Sequence, residues 1–401
     1  MEPLPDSLHR SSPSDVVGAS PPRDARPVSL AVRDYLRRHF GVHDRSSDGS
    51  GIVFAVSGGA DSLSLAVAGA DQAQRMGIPY SAAIVNHGLR EESEVEALEV
   101  AARLRSLGLT EVEVLDASTA EVDLEHPLEG WAREIRHKLL SEYAQNWAQS
   151  RGKGRTLDSV DILYGHTQDD QAETVLMRLG RGSSPRSLSA MRERVLAEST
   201  DARGSSCGSG VPVYRGRPLL GVRRSDTVAF CRALGLTWVD DPSNSAEGTW
   251  TNASGSALPR TALRHRVIPI LGDALGQDPI PALARVAQLL AEDEEALNAL
   301  AVEALAEVWR GGQEDRSLDV QTVKELPAAL RKRVYLLAWN TLTSSQEEAL
   351  LSVQLGSIDQ LVMNSPSGPY SPIGKKASLP GGWMVQRSRE CLTFRRLHPG
   401  G

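Results

Sequence analysis

Residues 52 to 62 read Ile52-Val53-Phe54-Ala55-Val56-Ser57-Gly58-Gly59-Ala60-Asp61-Ser62, and an Ala- and Leu-rich segment follows them. The apolar β-rich run predicts a strand, the paired glycines predict a tight turn, and the segment after them predicts a helix. Glycine lets backbone N–H groups approach an anion, and a helix N-terminus adds partial positive charge. Ser57 and Ser62 can donate hydrogen bonds, and Asp61 can hold a metal ion. The stretch therefore predicts a phosphate-binding turn.

No Lys follows the glycines, so the turn is not a Walker-type phosphate loop. An ordinary strand-to-helix turn is the simpler alternative for two glycines alone. All six residues together resemble the pyrophosphate loop of the N-type ATP pyrophosphatases, which cut ATP between its α- and β-phosphates and adenylate a substrate. The resemblance implies that Asp61 orients Mg²⁺ and that ATP is bound by Ser57, Gly58, Gly59, Ala60, Asp61 and Ser62.

Strand-like and helical patterns alternate after this turn. Strand-like runs lie at residues 80–86, 111–116 and 161–165, and helical patterns lie at 63–76, 94–107 and 128–150. This alternation predicts an α/β fold, a parallel sheet flanked by helices in a Rossmann-like ATPase domain. Such sheets bind ligands at the carboxyl ends of their strands. Ser57, the run Asn86-His87-Gly88-Leu89-Arg90 and His166 all follow strands, so we expect them to share one site.

The sequence pattern changes near residue 270. Long helical patterns follow at residues 281–310, 320–341 and 346–363, and a Pro380-Gly381-Gly382 turn lies among short strand-like runs. We predict a disordered tail over residues 1–27, a catalytic domain over 28–245 and a tRNA-contacting linker over 246–270. A mainly helical domain with a small β element should occupy residues 271–401. Residues 224–234 are expected to be helical, and 237–239 are a candidate fifth strand.

Composition limits the function classes. The 401 residues carry a formal net charge of −7, so the whole protein is not a general polyanion binder. No run of about 18 apolar residues occurs, and no transmembrane helix is expected. Cys207, Cys231 and Cys391 form no CxxC pair, which argues against a zinc ribbon or a cysteine-held cluster and is typical of reduced thiols in a cytoplasmic protein.

Arginine is concentrated in the middle of the chain. Residues 176–266 contain fourteen Arg, no Lys and seven acidic residues. Arg binds phosphate oxygens through its fork and stacks on bases, so this excess is compatible with nucleic-acid contact. Solvated Arg side chains on helix faces explain the same count equally well.

A second chemical cluster reads His166-Thr167-Gln168-Asp169-Asp170-Gln171-Ala172-Glu173-Thr174. A helix that begins near Asp169 places Asp170 and Glu173 three residues apart on one face, with His166 at the strand end before them. Acids in a first helical turn often only complement the helix dipole. Because this turn should lie beside the Ser57 loop, we favour the hypothesis that Asp170 and Glu173 act in the same site over a role limited to the helix dipole.

With both clusters, the chain resembles the tRNA(Ile)-lysidine synthases over residues 28–271. Besides the two clusters, the resemblance rests on Asn86–Arg90, Glu129-Gly130-Trp131-Ala132-Arg133-Glu134-Ile135-Arg136, Arg178 with Arg181-Gly182-Ser183, Arg217-Pro218-Leu219-Leu220 and Asp241-Pro242-Ser243-Asn244. The chain departs from the family pattern at Arg260-Thr261-Ala262-Leu263-Arg264, where the family has an Arg-Asn-Arg-x-Arg run. Two polar positions of that run are absent here.

The resemblance implies a two-step reaction with ATP and Mg²⁺. ATP adenylates C2 of the wobble cytidine of tRNA(Ile) with a CAU anticodon, and L-lysine then attacks C2 to give lysidine, AMP and pyrophosphate. The implied catalytic residues are Asp61, His166, Asp170 and Glu173. Asp170 and Glu173 would bind the lysine ammonium group, and His166 would position the nucleotide or accept a proton. Phosphate or tRNA contacts are assigned to Arg178, Arg181, Arg217, Arg260 and Arg264.

Three other functions are compatible with parts of the sequence. A sister tRNA cytidine thiolase would need paired cysteines, which this chain lacks. A free-standing amidating synthetase would keep the Ser57 loop without needing the Arg-rich middle. A non-catalytic RNA-binding module would explain the arginines but not the Ser57 and His166 clusters. Nothing in the sequence indicates an oligomeric state.

Overall fold

The computed structural model describes residues 12–41, 49–86, 88, 93–117, 128–150, 157–181, 184–197, 210–239, 259–310, 317–343, 350–363 and 376–396. The predicted motif at residues 241–244, most of the 86–90 motif and the linker up to residue 258 lie outside these ranges. The chain divides into two compact units, and the division falls between Leu289 and Leu290. Residues 271–289, which the sequence assigns to the C-terminal domain, thus belong to the first unit.

A six-stranded sheet forms the centre of the first unit. Its described strands are β1 Ser50–Ala55, β2 Tyr80–Asn86, β3 Val112–Asp116, β4 Ser159–Tyr164, β5 Arg194–Leu196 and β6 Val213–Gly216. Their order is β3-β2-β1-β4-β6-β5, and every neighbouring pair is parallel except β5 with β6. The predicted α/β fold with a mostly parallel sheet is confirmed.

Helices cover the sheet and carry the chain back between its strands. They are α1 Pro13–Val17, α2 Arg26–Phe40, α3 Ala60–Met76, α4 Ser93–Ser106, α5 Leu128–Ser150, α6 Gln168–Leu179, α7 Pro185–Leu188, α8 Arg224–Ala233, α9 Pro259–Ala262, a π-helical segment Leu263–Val267, α10 Ile268–Leu275 and the start of α11 Ile280–Val308. Two apolar clusters of strand and helix side chains fill the unit's interior.

The outer strands of the sheet differ from the expectation. Residues 237–239 form no strand, although the backbone N–H of Val239 donates to the carbonyl of Gly58 at 2.9 Å. The sheet instead continues through β6 and β5, which span only four and three residues. Such short runs show no clear period of two, so sequence periodicity does not reveal them.

The N-terminal segment also differs from the expectation of a disordered tail. From Ser12 onward it is folded, and Val16 and Val17 are 3% and 2% exposed within the core. Ser12 caps α1 by accepting from the N–H of Asp15, and Pro13 occupies the first helical turn, as helix starts favour. The Ser and Pro residues at positions 12 and 13 thus belong to the start of a helix. Residues 1–11 lie outside the described ranges.

The second unit combines helices with a small antiparallel sheet, as predicted. After α11 come β7 Trp309–Arg310, β8 Ser317–Asp319, α12 Val320–Glu325, α13 Ala328–Leu342, α14 Ser352–Met363, β9 Lys376–Leu379, β10 Trp383–Arg387 and β11 Cys391–Arg396. The single helix expected over residues 320–341 is divided at Pro327, because proline disfavours helical geometry at the residue before it. None of the helices in the described ranges is long and apolar enough to cross a membrane.

Candidate active site

The loop after β1 is a turn held in shape by its own serines. Gly58 has a φ of +89°, a left-handed conformation that glycine adopts without steric cost. The Ser62 Oγ accepts from the N–H of Ser57 at 3.1 Å and donates to the carbonyl of Gly59 at 3.1 Å. Because α3 begins here, its first N–H groups and its positive dipole end lie at the loop. This geometry suits a phosphate group.

The end of β4 lies against the same turn. Ala55 of β1 and Tyr164 of β4 are paired in register, so the two strands end side by side. A Cβ at Gly165 would lie 2.8 Å from the carbonyl carbon of Asp61 and 2.9 Å from the nitrogen of Ser62. Only glycine permits this approach without a shift of the backbone. The start of α6 therefore lies beside the Ser57 loop, as the two sequence clusters predict.

The first turn of α6 is fixed by a capping box. The N–H and Oγ1 of Thr167 both donate to Oδ2 of Asp170 at 2.8 Å, and the N–H of Asp170 donates back to Oγ1 at 3.5 Å. Asp170 thus uses one carboxylate oxygen to start the helix, which is the simpler role expected for an acid in a first turn. The other oxygen of Asp170, Oδ1, accepts from Arg224. Glu173, one turn further along α6, is fully buried and accepts from the same guanidinium.

The guanidinium of Arg224 gathers three carboxylates. Its Nε donates to Asp61 Oδ2 at 3.2 Å, its Nη2 to Asp170 Oδ1 at 2.7 Å, and its Nη1 to Glu173 Oε1 at 3.5 Å. We call Asp61, Asp170 and Glu173 the acidic cluster. The structure therefore brings together three acids that the sequence assigns to one site, and it places between them a cation that the sequence does not assign.

A second guanidinium completes the acidic cluster. Arg264 donates from Nε to Glu173 Oε1 at 2.8 Å, and its Nη2 lies 3.8 Å from Asp170 Oδ1. The sequence suggests phosphate or tRNA contact for Arg264, but in this structure its side chain pairs with carboxylates. Arg260, one turn earlier, donates to Thr174 Oγ1 at 3.3 Å. The π-helical segment that contains Arg264 is thereby tied to α6.

The charge states follow from this packing. Burial raises the pKa of Asp61 above its usual value, against the opposing effects of Arg224 and a hydrogen bond from the hydroxyl of Thr227. Burial also disfavours the Asp170 carboxylate, but Arg224, His166 and the Thr167 donors outweigh it and lower the pKa of Asp170. Arg224 stays protonated because the carboxylates outweigh its burial and raise its pKa. No group of three or more His, Cys, Asp or Glu side chains in the described residues is arranged to hold a metal ion.

Arginines and aromatic rings lie near the end of β4. The ring of His166 stacks on Tyr164 with centroids 5.8 Å apart, and His137 Nδ1 lies 3.0 Å from the Tyr164 hydroxyl. Electrostatic interactions link these rings to five arginines, which we call the arginine cluster: Arg133, Arg136, Arg215, Arg217 and Arg260. The candidate site thus combines the acidic cluster with the arginine cluster.

Arg217 is the most enclosed member of the arginine cluster. It is 6% exposed, donates from Nη1 to the carbonyl of Arg192 at 2.8 Å, and has no hydrogen-bond partner for Nε among the described residues. Burial lowers the pKa of Arg217 to about 10, with Arg215 and Arg133 adding repulsion against the opposing effect of Tyr164. His166 Nδ1 also lacks a partner within the described ranges. The Arg217 Nε–H is a buried donor without a partner, and an anionic ligand would supply one.

Arg178 and Arg181 differ in their surroundings. The Nη1 of Arg178 donates to the carbonyls of Ser187 and Ala190, so it fastens the α7 segment to α6. Ala190 has a φ of 53°, and the contact to its carbonyl helps to hold that strained conformation. Arg181 is exposed at the end of α6. Of this predicted pair, only Arg181 presents its side chain to solvent.

Acidification below about pH 6.5 is expected to destabilise the protein. Burial, and then the charges of Arg215 and Arg133, lower the pKa of His137 to about 3 from its usual 6.5. Between these values the unfolded chain binds more protons than the folded protein, so stability present above about pH 6.5 falls by ~1 kcal/mol per pH unit. Thermal unfolding between about pH 5 and pH 8 measures this slope. Burial also lowers the pKa of His166, which contributes to the same slope. His137→Gln should therefore reduce the slope by about half, and an unchanged slope would contradict the assignment.

Sequence reasoning missed that Arg224, Thr227 and Tyr164 contact the predicted site residues. One signal was present: Arg223 and Arg224 are consecutive at the start of a helix, where the dipole disfavours cations. Such a placement indicates dedicated carboxylate partners. Arg223 pairs with Asp169 at 3.1 Å and with Asp278, whereas Arg224 enters the acidic cluster.

Comparisons with known proteins identify the family of the chain. Residues 35–271 match the PP-loop domain of the ATP_bind_3 family. A tRNA(Ile)-lysidine synthase of Nocardia farcinica is 36% identical over 91% of this chain and 96% of its own length. The enzyme of the same name from Leifsonia xyli is 37% identical over 72% and 76%, and that from Mycobacterium tuberculosis is 34% identical over 93% and 97%. The chain therefore belongs to the tRNA(Ile)-lysidine synthase family of ATP-utilising PP-loop enzymes.

Proposed function

We propose that this protein joins free L-lysine to C2 of the wobble cytidine, position 34, in tRNA(Ile) with a CAU anticodon. ATP adenylates the C2 oxygen and pyrophosphate leaves. The lysine amine then attacks C2 and AMP leaves, which produces lysidine. The observation that carries the proposal is that Asp61 belongs both to the phosphate-binding turn and to the acidic cluster. A phosphate site and a cation site thus share one residue.

The turn after β1 has the properties that ATP binding requires. Ser57, the two glycines and Ser62 surround the positive end of α3, a helix of 17 residues. The departing pyrophosphate would lie there, with its charge offset by the helix dipole and by backbone N–H groups.

The surroundings of Asp61 also fit Mg²⁺. Mg²⁺ commonly binds one or two carboxylates together with substrate phosphates, so the lack of a ready three-residue metal site is compatible with Asp61 as its protein ligand. Bound there, Mg²⁺ would offset the charge that develops on the phosphates.

Asp170 and Glu173 support an ammonium site. Both lie on one face of α6, and the pair already accepts hydrogen bonds from two guanidiniums. Carboxylates that pair with guanidiniums can also pair with an ammonium group through charge-assisted hydrogen bonds. We assign the ammonium group of lysine to these two residues.

The arginine cluster and its rings suit an RNA loop. Arginines contact the phosphates of RNA, and the partly buried rings of His137 and His166 lie among these arginines. The pKa of His166 lies well below its usual value because of burial, although Asp170 opposes this, so its imidazole is neutral near pH 7. A neutral His166 can accept a hydrogen bond or a proton from the nucleotide or base, and it is not a proton donor.

The test is the tRNA dependence of ATP cleavage. Purified protein is mixed with L-lysine and labelled ATP in three reactions, which contain no tRNA, tRNA(Ile) bearing CAU, or the same tRNA bearing U at position 34. AMP and pyrophosphate should form with the tRNA bearing CAU and stay at background in the other two reactions. AMP formation without any tRNA would instead support a free-standing amidating synthetase.

Arg260→Gln is expected to weaken tRNA binding and to reduce its salt dependence. Loss of one phosphate contact should lower the slope of log affinity against log salt by about one. Filter binding at several salt concentrations measures it, with Arg37→Gln on the exposed side of α2 as a charge-matched control. Equal slopes for the two variants would remove Arg260 from the tRNA-binding surface.

A further inference from the structure

The dipole of α8 disfavours the positive charge of Arg224 at its position in the helix. Arg224 is the first residue of α8, where the dipole disfavours a cation, and its backbone N–H donates to Asp169 Oδ2 at 2.9 Å. This bond anchors its main chain beside α6. Its guanidinium then uses all three nitrogens on the three carboxylates of the acidic cluster. The position is therefore maintained by the acids and not by the helix.

The acidic cluster is already close to charge balance. Three carboxylates face the guanidiniums of Arg224 and Arg264, which leaves one negative charge uncompensated. A divalent ion or an ammonium group that enters beside both guanidiniums would meet like charges within about 4 Å, which disfavours binding. A cationic ligand therefore has to replace one guanidinium.

Arg224 is the guanidinium best suited to leave. It is shared among three acids, and its bonds to Asp61 and Glu173 are long, at 3.2 and 3.5 Å. Both guanidiniums border solvent, because each side chain is 24% exposed, so the choice between them rests on the bond geometry. Arg264 contacts Glu173 through two nitrogens, at 2.8 and 3.3 Å.

We propose that Arg224 is a positioning residue that keeps Asp61, Asp170 and Glu173 together before ligands arrive, and that cationic ligands enter by displacing its guanidinium. The proposal rests on the proposed function, which places Mg²⁺ at Asp61 and an ammonium group at Asp170 and Glu173. Bound ATP provides the displaced guanidinium with phosphates as new partners. Lysine therefore binds well only after ATP, because ATP draws Arg224 away from the ammonium site.

Cation binding to the nucleotide-free protein tests this directly. The binding of Mn²⁺ alone and of L-lysine alone is measured for the wild type, Arg224→Gln, Arg224→Lys and Arg223→Gln. Removal of the competing charge should tighten both ligands about tenfold in Arg224→Gln, the scale of one charge-assisted hydrogen bond. Arg224→Lys, a point charge that cannot bridge three acids, should fall between Arg224→Gln and the wild type. Arg223→Gln, which removes a neighbouring guanidinium that contacts Asp169 and Asp278, should match the wild type.

Equal or weaker binding of both ligands to Arg224→Gln would overturn the proposal. If that variant does not fold, the wild type provides the test through the Nε–H resonances of isotope-labelled arginine. The Arg224 signal should shift when ATP, Mg²⁺ and lysine are added together, while the Arg223 signal stays in place. An unmoved Arg224 signal would also overturn it.

These measurements use no tRNA and no turnover. A protein that shows them but makes no lysidine would contradict the proposed function and leave the role of Arg224 intact. In turn, lysidine formation with unchanged cation binding would contradict only the role of Arg224.

Discussion

Asp61→Ala is expected to abolish AMP formation and to leave tRNA affinity nearly unchanged. Asp61 is the one carboxylate that lies both in the phosphate-binding turn and within reach of the Arg224 guanidinium. In the proposed mechanism Asp61 holds Mg²⁺, so its loss removes that ligand and the charge neutralisation that depends on it. Several kcal/mol of transition-state stabilisation correspond to a loss of about a thousandfold or more.

Asp34→Ala is the matched control for this variant. Asp34 is exposed on α2 and pairs with its neighbour Arg33 at 3.1 Å. AMP release from labelled ATP and filter binding of tRNA are measured for both variants. Near-normal turnover in Asp61→Ala would remove Asp61 from the mechanism, and a parallel loss of tRNA binding would indicate misfolding.

Glu173→Gln is expected to raise the KM for lysine while adenylation of the tRNA proceeds. The amide keeps the shape of the side chain and removes the charge that binds the ammonium group. Because a charge-assisted hydrogen bond contributes about 1.5–3 kcal/mol, the loss should be on the order of ten- to a hundredfold. Adenylated tRNA should accumulate when lysine is limiting.

The variant Asp170→Asn makes a less direct test of the same site. Asp170 also closes the capping box with Thr167, so its substitution disturbs the start of α6 as well as the charge. Glu173 has no such capping role and is preferred. Glu193→Gln, which loses contacts to Arg38 and His39 on another part of the unit, controls for the general loss of an acid. If Glu173→Gln loses adenylation first and keeps its lysine KM, Glu173 belongs to the metal site.

The sequence predicts the central part of the fold because its signals are local. β2 and α5 have the predicted bounds, and β1 and β4 lie within two residues of the predicted ones. Their apolar runs are buried on both faces, as expected for parallel strands. The convergence of Asp61 with Asp170 and Glu173 is also predictable, because strand ends in a parallel sheet meet at one edge.

Side-chain partners from distant segments of the chain cannot be predicted from local sequence signals. The sequence suggests a tRNA contact for Arg264, yet the structure pairs it with Glu173, about ninety residues earlier in the chain. Arg178 likewise binds carbonyls of the α7 segment. Residue type shows that an arginine needs an anion or carbonyl, but only the packing of α6, α8 and the π-helical segment decides which one.

Mass spectrometry of nucleosides from tRNA(Ile) treated with the protein, ATP and L-lysine tests the proposed reaction at its product. Lysidine should replace the wobble cytidine only when protein, ATP and lysine are all present, and it should be absent with Asp61→Ala. Cleavage of ATP to AMP with an unmodified wobble cytidine, or a modified nucleoside that forms without lysine, would contradict the proposed reaction.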